Sequence, residues 1–256
     1  MKKISSNQKY FYQFDRLSGD GILHFSSTKA GWGGDGRCRF TGDSAEVYAD
    51  YRRELAESLG LKQVQFVFPR QTHSSHVVVV QKSREVQDVE DTDALVTNQP
   101  GLCICVQTAD CVPVLIYDPV RKVVAAIHAG WRGTVGKIVE KTVATMKSVF
   151  QSDPSDLLAG IGPSISTLNY EIGEDVIFAV RENFANHQQL LVSSEKEGKA
   201  YFDLWKANQS VLLGAGLSAL NIEVMNLCSY DEEHDFFSAR RDGLLTGRMI
   251  TGIMIV

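Results

Sequence analysis

Residues 108–133, TADCVPVLIYDPVRKVVAAIHAGWRG, read as two apolar strands joined by a turn, with a cysteine before the first and a histidine closing the second. Residues 112–117 and 123–127 are β-branched, apolar runs, and Asp118-Pro119 followed by Arg121-Lys122 supplies the polar turn. A hairpin brings together the ends it does not connect. Cys111 and His128, 17 positions apart, are therefore expected side by side at one sheet edge. A thiolate beside an imidazole is either a nucleophile with its base or two-thirds of a zinc site.

The 256 residues, 44% of them apolar, suffice for a sizeable core. A net charge of −5 and a pI near 5.7 argue against nucleic acid as a bulk partner and against anionic membrane surfaces. Apolar runs reach strand length only, about six to nine residues, so no segment is expected to span a bilayer. The opening MKKISSNQKYFYQF lacks the apolar stretch of a signal peptide. Five cysteines, an odd number without a secretory context, point to a reducing cytoplasm.

Residues 22–27 read as a strand running into the glycine-rich STKAGWGGDGR. Ser44 is a candidate cap for a helix to about Leu59, ended by Gly60. Residues 65–71 and 77–81 are strand-like and flank THSSH, and the acidic run 85–93 reads as a solvated loop. After AGWRGT, the spacing of Val135, Ile138, Val139, Thr142, Val143, Met146 and Phe150 predicts an amphipathic helix. Residues 157–161, 221–227 and 248–256 read as strands. Residues 173–184 read as a helix, and so do 204–213, capped by Asp203. Strands and helices mix without strict βαβ alternation, which predicts an α+β fold over residues 1–256 as a single domain.

His73, in the polar THSSH tip, reads by itself as an ordinary solvated residue. Beside Cys111 and His128 it is the third ligand a catalytic zinc needs, leaving the fourth position open. Cys103 and Cys105, two apart in an apolar strand, point to one face and read as core. Cys38 and Cys228 have no obvious partner, and His24, His76, His187 and His234 read as structural or surface residues. Arg132 stands where the long helix is expected to begin and could share its anion-attracting end. Arg240 and Arg241, in SARRDG, could clamp phosphate or carboxylate, or simply form a basic loop. Asp110 is a candidate proton donor or an orienter of Cys111.

QTHSSHV, TADCVPVLIYDP, HAGWRG, IGPSIS, YEIG, FDLW and FSARRDG with TGR resemble the YfiH family of laccase-like proteins, in order from about residue 26 to residue 250. The resemblance implies a mixed α/β sandwich of β-sheets flanked by helices, with zinc held by His73, Cys111 and His128. It also implies purine nucleoside chemistry: phosphorolysis of adenosine, inosine, guanosine and methylthioadenosine, and deamination of adenosine. Older family labels imply polyphenol oxidation, and one bacterial relative implies an amidase that edits a peptidoglycan precursor. A laccase needs several coppers, and six histidines supply few ligands for them, so zinc is expected over copper. The chain departs from the family pattern at Lys29, Tyr51 and Ser74. The competing reading from the residues is a cysteine hydrolase with Cys111 as nucleophile. A third is a closed structural zinc with Cys228 or His234 as fourth ligand. In the zinc-enzyme reading the partners are a nucleoside and phosphate, with Arg132, Arg240 and Arg241 on the anion.

Overall fold

The computed structural model describes residues 1–19, 21–32, 37–41, 45–81 and 88–256, without the side chains of 45–47, 64 and 88. The Ser44 cap and part of the glycine-rich loop lie outside the described residues.

One mixed sheet carries, in spatial order, Lys2–Ser6, Lys9–Gln13, Ile22–Ser27, Met249–Ile255, Cys103–Thr108, Phe66–Pro69 and Asp88–Val89. A second carries Ile222–Val224, Leu158–Ile161, Val112–Asp118, Val123–Ala129, Ala94–Thr97 and Val77–Val79. Three short strands, Glu171–Ile172, Ala200–Phe202 and Leu191–Ser193, form a third. The mixed α/β class read from the sequence is the fold observed. No helix among the described residues is long and apolar enough to cross a membrane.

The expected hairpin is the centre of the second sheet, with Val123 opposite Asp118 and Ala129 opposite Val112. Its strands are apolar but for Asp118 and His128 near their ends, because both faces are covered. Leu115, Tyr117, Val124 and Ala126 pack against the first sheet with Phe25, Ile104, Val106 and Ile250. Val114, Ile116, Val123, Ala125 and Ile127 face the other way, onto Ile138–Phe150, Glu174–Asn183 and Leu204–Gly214. Each fully buried Val, Leu or Ile contributes about 1.5–3 kcal/mol, more than the roughly 1 kcal/mol span of strand propensities, so two-sided burial fixes this hairpin. Register then follows: a one-residue slip would turn both faces inside out.

Two expectations change. The helix after HAGWRG is broken. Trp131–Val135 forms one short turn-and-a-half, Lys137 takes a left-handed φ of 58°, and Ile138–Phe150 starts afresh. Arg132 therefore sits on the short piece and not at the head of the long helix. The acidic run also changes in its described part, 88–93, where Glu90 and Asp91 are exposed but the rest is drawn into the fold. Asp88–Val89 pairs with Phe68–Pro69, and Asp93 is fully buried.

Candidate metal centre

Three segments converge at one end of the central hairpin. Cys111 immediately precedes Val112–Asp118, His128 is the penultimate residue of Val123–Ala129, and His73 lies in the loop between Phe66–Pro69 and Val77–Val79. One ligand atom from each, the Cys111 Sγ and a ring nitrogen of each histidine, lies within 4.8 Å of the other two. The two imidazoles meet edge to face, 4.9 Å between centroids. His128 is buried, Cys111 half-buried and His73 exposed, so the group has a dry side and a wet side. Zinc bonds nitrogen at about 2.0–2.1 Å and thiolate sulfur at about 2.3 Å, so donors this close and of these two types suit one such ion. Among the described residues no fourth ligand joins them. The Cys228 sulfur is buried and accepts from the Ser166 amide and the Asn169 side chain at 3.3 and 3.4 Å, and the His234 side chain is 97% exposed.

Asp93 was invisible in the sequence and organises the group. Ile127 pairs with Ala94, which sets His128 against Asp93 one step further along. The His128 Nδ1–H donates to Asp93 Oδ1 at 2.7 Å, which fixes the tautomer and turns Nε2 toward Cys111. The same carboxylate accepts from the backbone amides of Thr72, His73 and Ser74 at 3.2, 3.1 and 2.7 Å, and from the Ser74 hydroxyl at 2.7 Å. One buried anion thus aims one ligand through its side chain and the other through its backbone. The backbone needs that support: His73 has φ 59° and Asp110, beside Cys111, has φ 92°, conformations that cost a non-glycine residue about 1–2 kcal/mol.

The electrostatics follow from the packing. Burial opposes ionisation of the Cys111 thiol, but the charge and hydrogen bond of His128, and then of His73, outweigh it and hold the thiol at about 6. Burial likewise opposes a charged His128, yet the Cys111 thiolate and the Asp93 carboxylate raise it to about 9. Asp93 is itself brought down to about 2, against burial, by His128 and Ser74.

The remaining candidates separate. Arg241 lies in the short helix Ala239–Asp242, and its five N–H groups are all engaged. They donate to the carbonyls of Ser229, Tyr230 and Phe236 and twice to Asp242, which leaves none for an anion. The expected anion clamp of paired arginines is thereby reduced to Arg240. That exposed guanidinium lies 5.2 Å from the Tyr170 ring and donates to the carbonyls of Asn169 and Glu171. Arg132, also exposed, stacks 4.3 Å from the Trp131 ring. The Asp110 carboxylate accepts from the Ser229 hydroxyl and the Arg240 amide, both at 2.7 Å, so it ties two loops together beside Cys111. Tyr170, not singled out in the sequence, has a phenol pushed up by burial and by the Cys111 thiolate, within the field of Arg240, Asp110 and Arg132. Cys103 and Cys105 are core thiols, 3.7 Å apart, and Cys38 is buried with its sulfur against the Arg248 carbonyl. His24 is buried and accepts from the Phe14 amide, and burial lowers it to about 4.

Gly130 forms the floor of the group. A Cβ added there would lie 3.1 Å from both the Cys111 Sγ and the His73 ring. We expect Gly130→Ala to displace these ligands by a few tenths of an ångström. It should lower metal affinity and turnover by about tenfold, with a melting temperature close to the parent's, measured by metal titration and thermal unfolding side by side.

A family model described as multi-copper polyphenol oxidoreductase laccase matches residues 37–256. The chain belongs to this family. Among the laccase-family relatives, a purine nucleoside phosphorylase of Bacteroides thetaiotaomicron is 38% identical over 247 residues, covering 91% of this chain and 92% of the relative. A protein named adenosine deaminase RL5, from an unknown prokaryotic organism, is 39% identical over 248 residues, covering 91% and 94%. The crystal structure of the hypothetical protein YfiH of Bacillus licheniformis superimposes with a TM-score of 0.88 at 28% identity, covering 98% and 97% of the two chains. The resemblance read from TADCVPVLIYDP and HAGWRG is thus a family membership, whatever chemistry the family's description names.

Proposed function

We propose that the protein is a zinc-dependent purine nucleoside enzyme that phosphorolyses nucleosides such as adenosine and inosine and deaminates adenosine. The observation that carries this reading is the convergence of Cys111, His73 and His128, backed by Asp93, in a chain whose relatives are named purine nucleoside phosphorylase and adenosine deaminase. Zinc is favoured over a set of coppers because the described residues offer one three-donor group, of the mixed nitrogen and sulfur type zinc takes.

His73, Cys111 and His128 would hold the ion, which when bound supplies Lewis acidity at neutral pH. Asp93 keeps a proton on His128 Nδ1 and so keeps Nε2 free as a donor atom. Tyr170, a neutral phenol within the electrostatic reach of Cys111, can donate a hydrogen bond to the purine or the sugar. Arg132 and Arg240, exposed at the rim, draw an anionic co-substrate inward. In phosphorolysis a phosphate oxygen bonds to C1′ as the C1′–N9 bond breaks, and the purine leaves with the electron pair and takes up a proton. In deamination water replaces the 6-amino group, which leaves as ammonia.

Chromatography of adenosine incubated with zinc-loaded protein tests the reading: inosine appears without phosphate, and adenine and hypoxanthine appear only when phosphate is added. If none of these products formed, the reading would be refuted. The line Cys111–His128–Asp93 also favours a second reading, a thiol nucleophile with an oriented base. Chelation separates the two, since the zinc enzyme loses activity and the thiol hydrolase keeps it.

Zinc binding requires a thiolate and neutral imidazoles. In the metal-free site His128 keeps its proton up to about 9 and Cys111 is ionised above about 6. Between those values the incoming ion displaces the His128 proton. Apparent zinc affinity should climb by about tenfold per pH unit across that interval and more steeply below it, as the thiol must ionise too. Chelator competition from pH 5.5 to 9 measures the slope, and a flat profile contradicts the protonated imidazole.

A further inference from the structure

Arg39 and Arg248 are brought together without an acid between them among the described residues. Arg248 immediately precedes Met249–Ile255, whose first residue pairs with Thr108, the last residue of Cys103–Thr108. Arg248 therefore leaves the sheet at the end from which Asp110 and Cys111 also leave. Its backbone amide donates to the Cys38 carbonyl at 2.8 Å, which fastens the segment carrying Arg39 alongside. The two guanidiniums share acceptors. Arg248 Nη2 and Arg39 Nη2 both donate to the Leu244 carbonyl, at 3.1 and 3.4 Å, and Arg248 Nη1 and Arg39 Nη2 both reach the Thr246 carbonyl, at 2.6 and 3.4 Å.

Two cations held against neutral carbonyls repel one another, and among the described residues neither has a carboxylate partner. Burial, and then Arg39, push the Arg248 guanidinium below its usual range, and the nearby Cys111 and Asp110 charges only partly offset that. Among the described residues, Arg248 keeps its Nε–H and one Nη2–H beyond the carbonyl bonds, and Arg39 keeps its Nε–H and both Nη1–H groups. A planar fork with free donors, doubled, is the arrangement that a phosphate dianion satisfies.

We propose that Arg39 and Arg248 form the seat of the phosphate co-substrate, beside the metal group, with Arg132 and Arg240 left at the rim. The assignment rests on the nucleoside reading for the identity of the co-substrate, while the seat itself can be read by binding alone.

The test is calorimetric titration of inorganic phosphate into the zinc-loaded protein, for the parent and for Arg39→Gln, Arg248→Gln and Arg248→Lys. The lysine variant keeps a charge should the glutamine protein fail to fold. We expect the phosphate Kd to rise about tenfold or more in each glutamine variant and less in Arg248→Lys. Adenosine 5′-monophosphate is titrated in parallel. Binding of that nucleotide through the same arginines, more tightly than free phosphate, would reassign the seat to a 5′-phosphate. A parent that binds no phosphate, or variants whose Kd matches the parent's, would overturn the pair as an anion site. Adenosine turnover is followed in the same samples. Phosphate binding that responds to the substitutions without any turnover leaves the seat standing and brings down the nucleoside reading.

Discussion

Cys111→Ala protein should emerge folded, without bound metal, and at least about a thousandfold less active on adenosine, equivalent to roughly 4 kcal/mol of transition-state stabilisation. The size of the effect follows from geometry. Three donors within 4.8 Å of one another include one sulfur, and its removal leaves two imidazoles, one of them exposed. The fold should tolerate the change because Cys111 is half-buried at a loop, not part of either packed face of the hairpin. Metal content by mass spectrometry, read beside turnover and circular dichroism, decides the matter. A variant that keeps one zinc per chain would show that the sulfur is no ligand. A variant that loses activity but keeps its zinc would favour the thiol as nucleophile.

Asp93→Asn is expected to have the second-largest effect, and on two quantities at once. Asparagine can still accept from His128 Nδ1, but its amide N–H₂ would face the Thr72 and Ser74 amides that now donate to Oδ2. Loosening a group that orients metal ligands costs about 10–100-fold in metal affinity. Removing one partner of a buried charged pair costs about 3–5 kcal/mol of stability. Urea unfolding and chelator competition measure the two separately. The pH dependence carries a further signature. Asp93 is held at about 2, below its value in the unfolded chain, so its contribution is present above about pH 4 and is lost as pH falls through about 2. That contribution is roughly 2 kcal/mol, and the asparagine variant should lack this part of the acid limb. An unchanged acid limb would show that the carboxylate is not held by these contacts.

Much of this site could be read from residues alone, and the reason is covalent. Cys111 and His128 stand at the two open ends of one hairpin, whose strands announce themselves by unbroken apolar runs and whose turn is marked by Asp118-Pro119. Proximity then follows from local sequence. His73 could be offered by donor type alone, and only the resemblance set it apart from the other histidines, because nothing in THSSH ties it to a hairpin two strands away. Asp93 was missed for a physical reason. It ends an acidic run and looks solvated until Ala94–Thr97 is known to pair with Val123–Ala129, and only that pairing sets it opposite His128. Arg241 misled for the converse reason. A second arginine beside Arg240 suggests a clamp, whereas its donors are all taken by carbonyls of the 229–236 loop and by Asp242. The break at Lys137 was masked because Val135 and Ile138 remain in helical phase across it.

The five thiols are unequally placed: Cys38, Cys103, Cys105 and Cys228 are all buried, and Cys111 alone reaches solvent. A maleimide dye applied to native protein therefore has a single target, and coordination would shield that target. Labelling yield becomes a gauge of how much of a preparation carries its ion, readable on a gel before any substrate is weighed out.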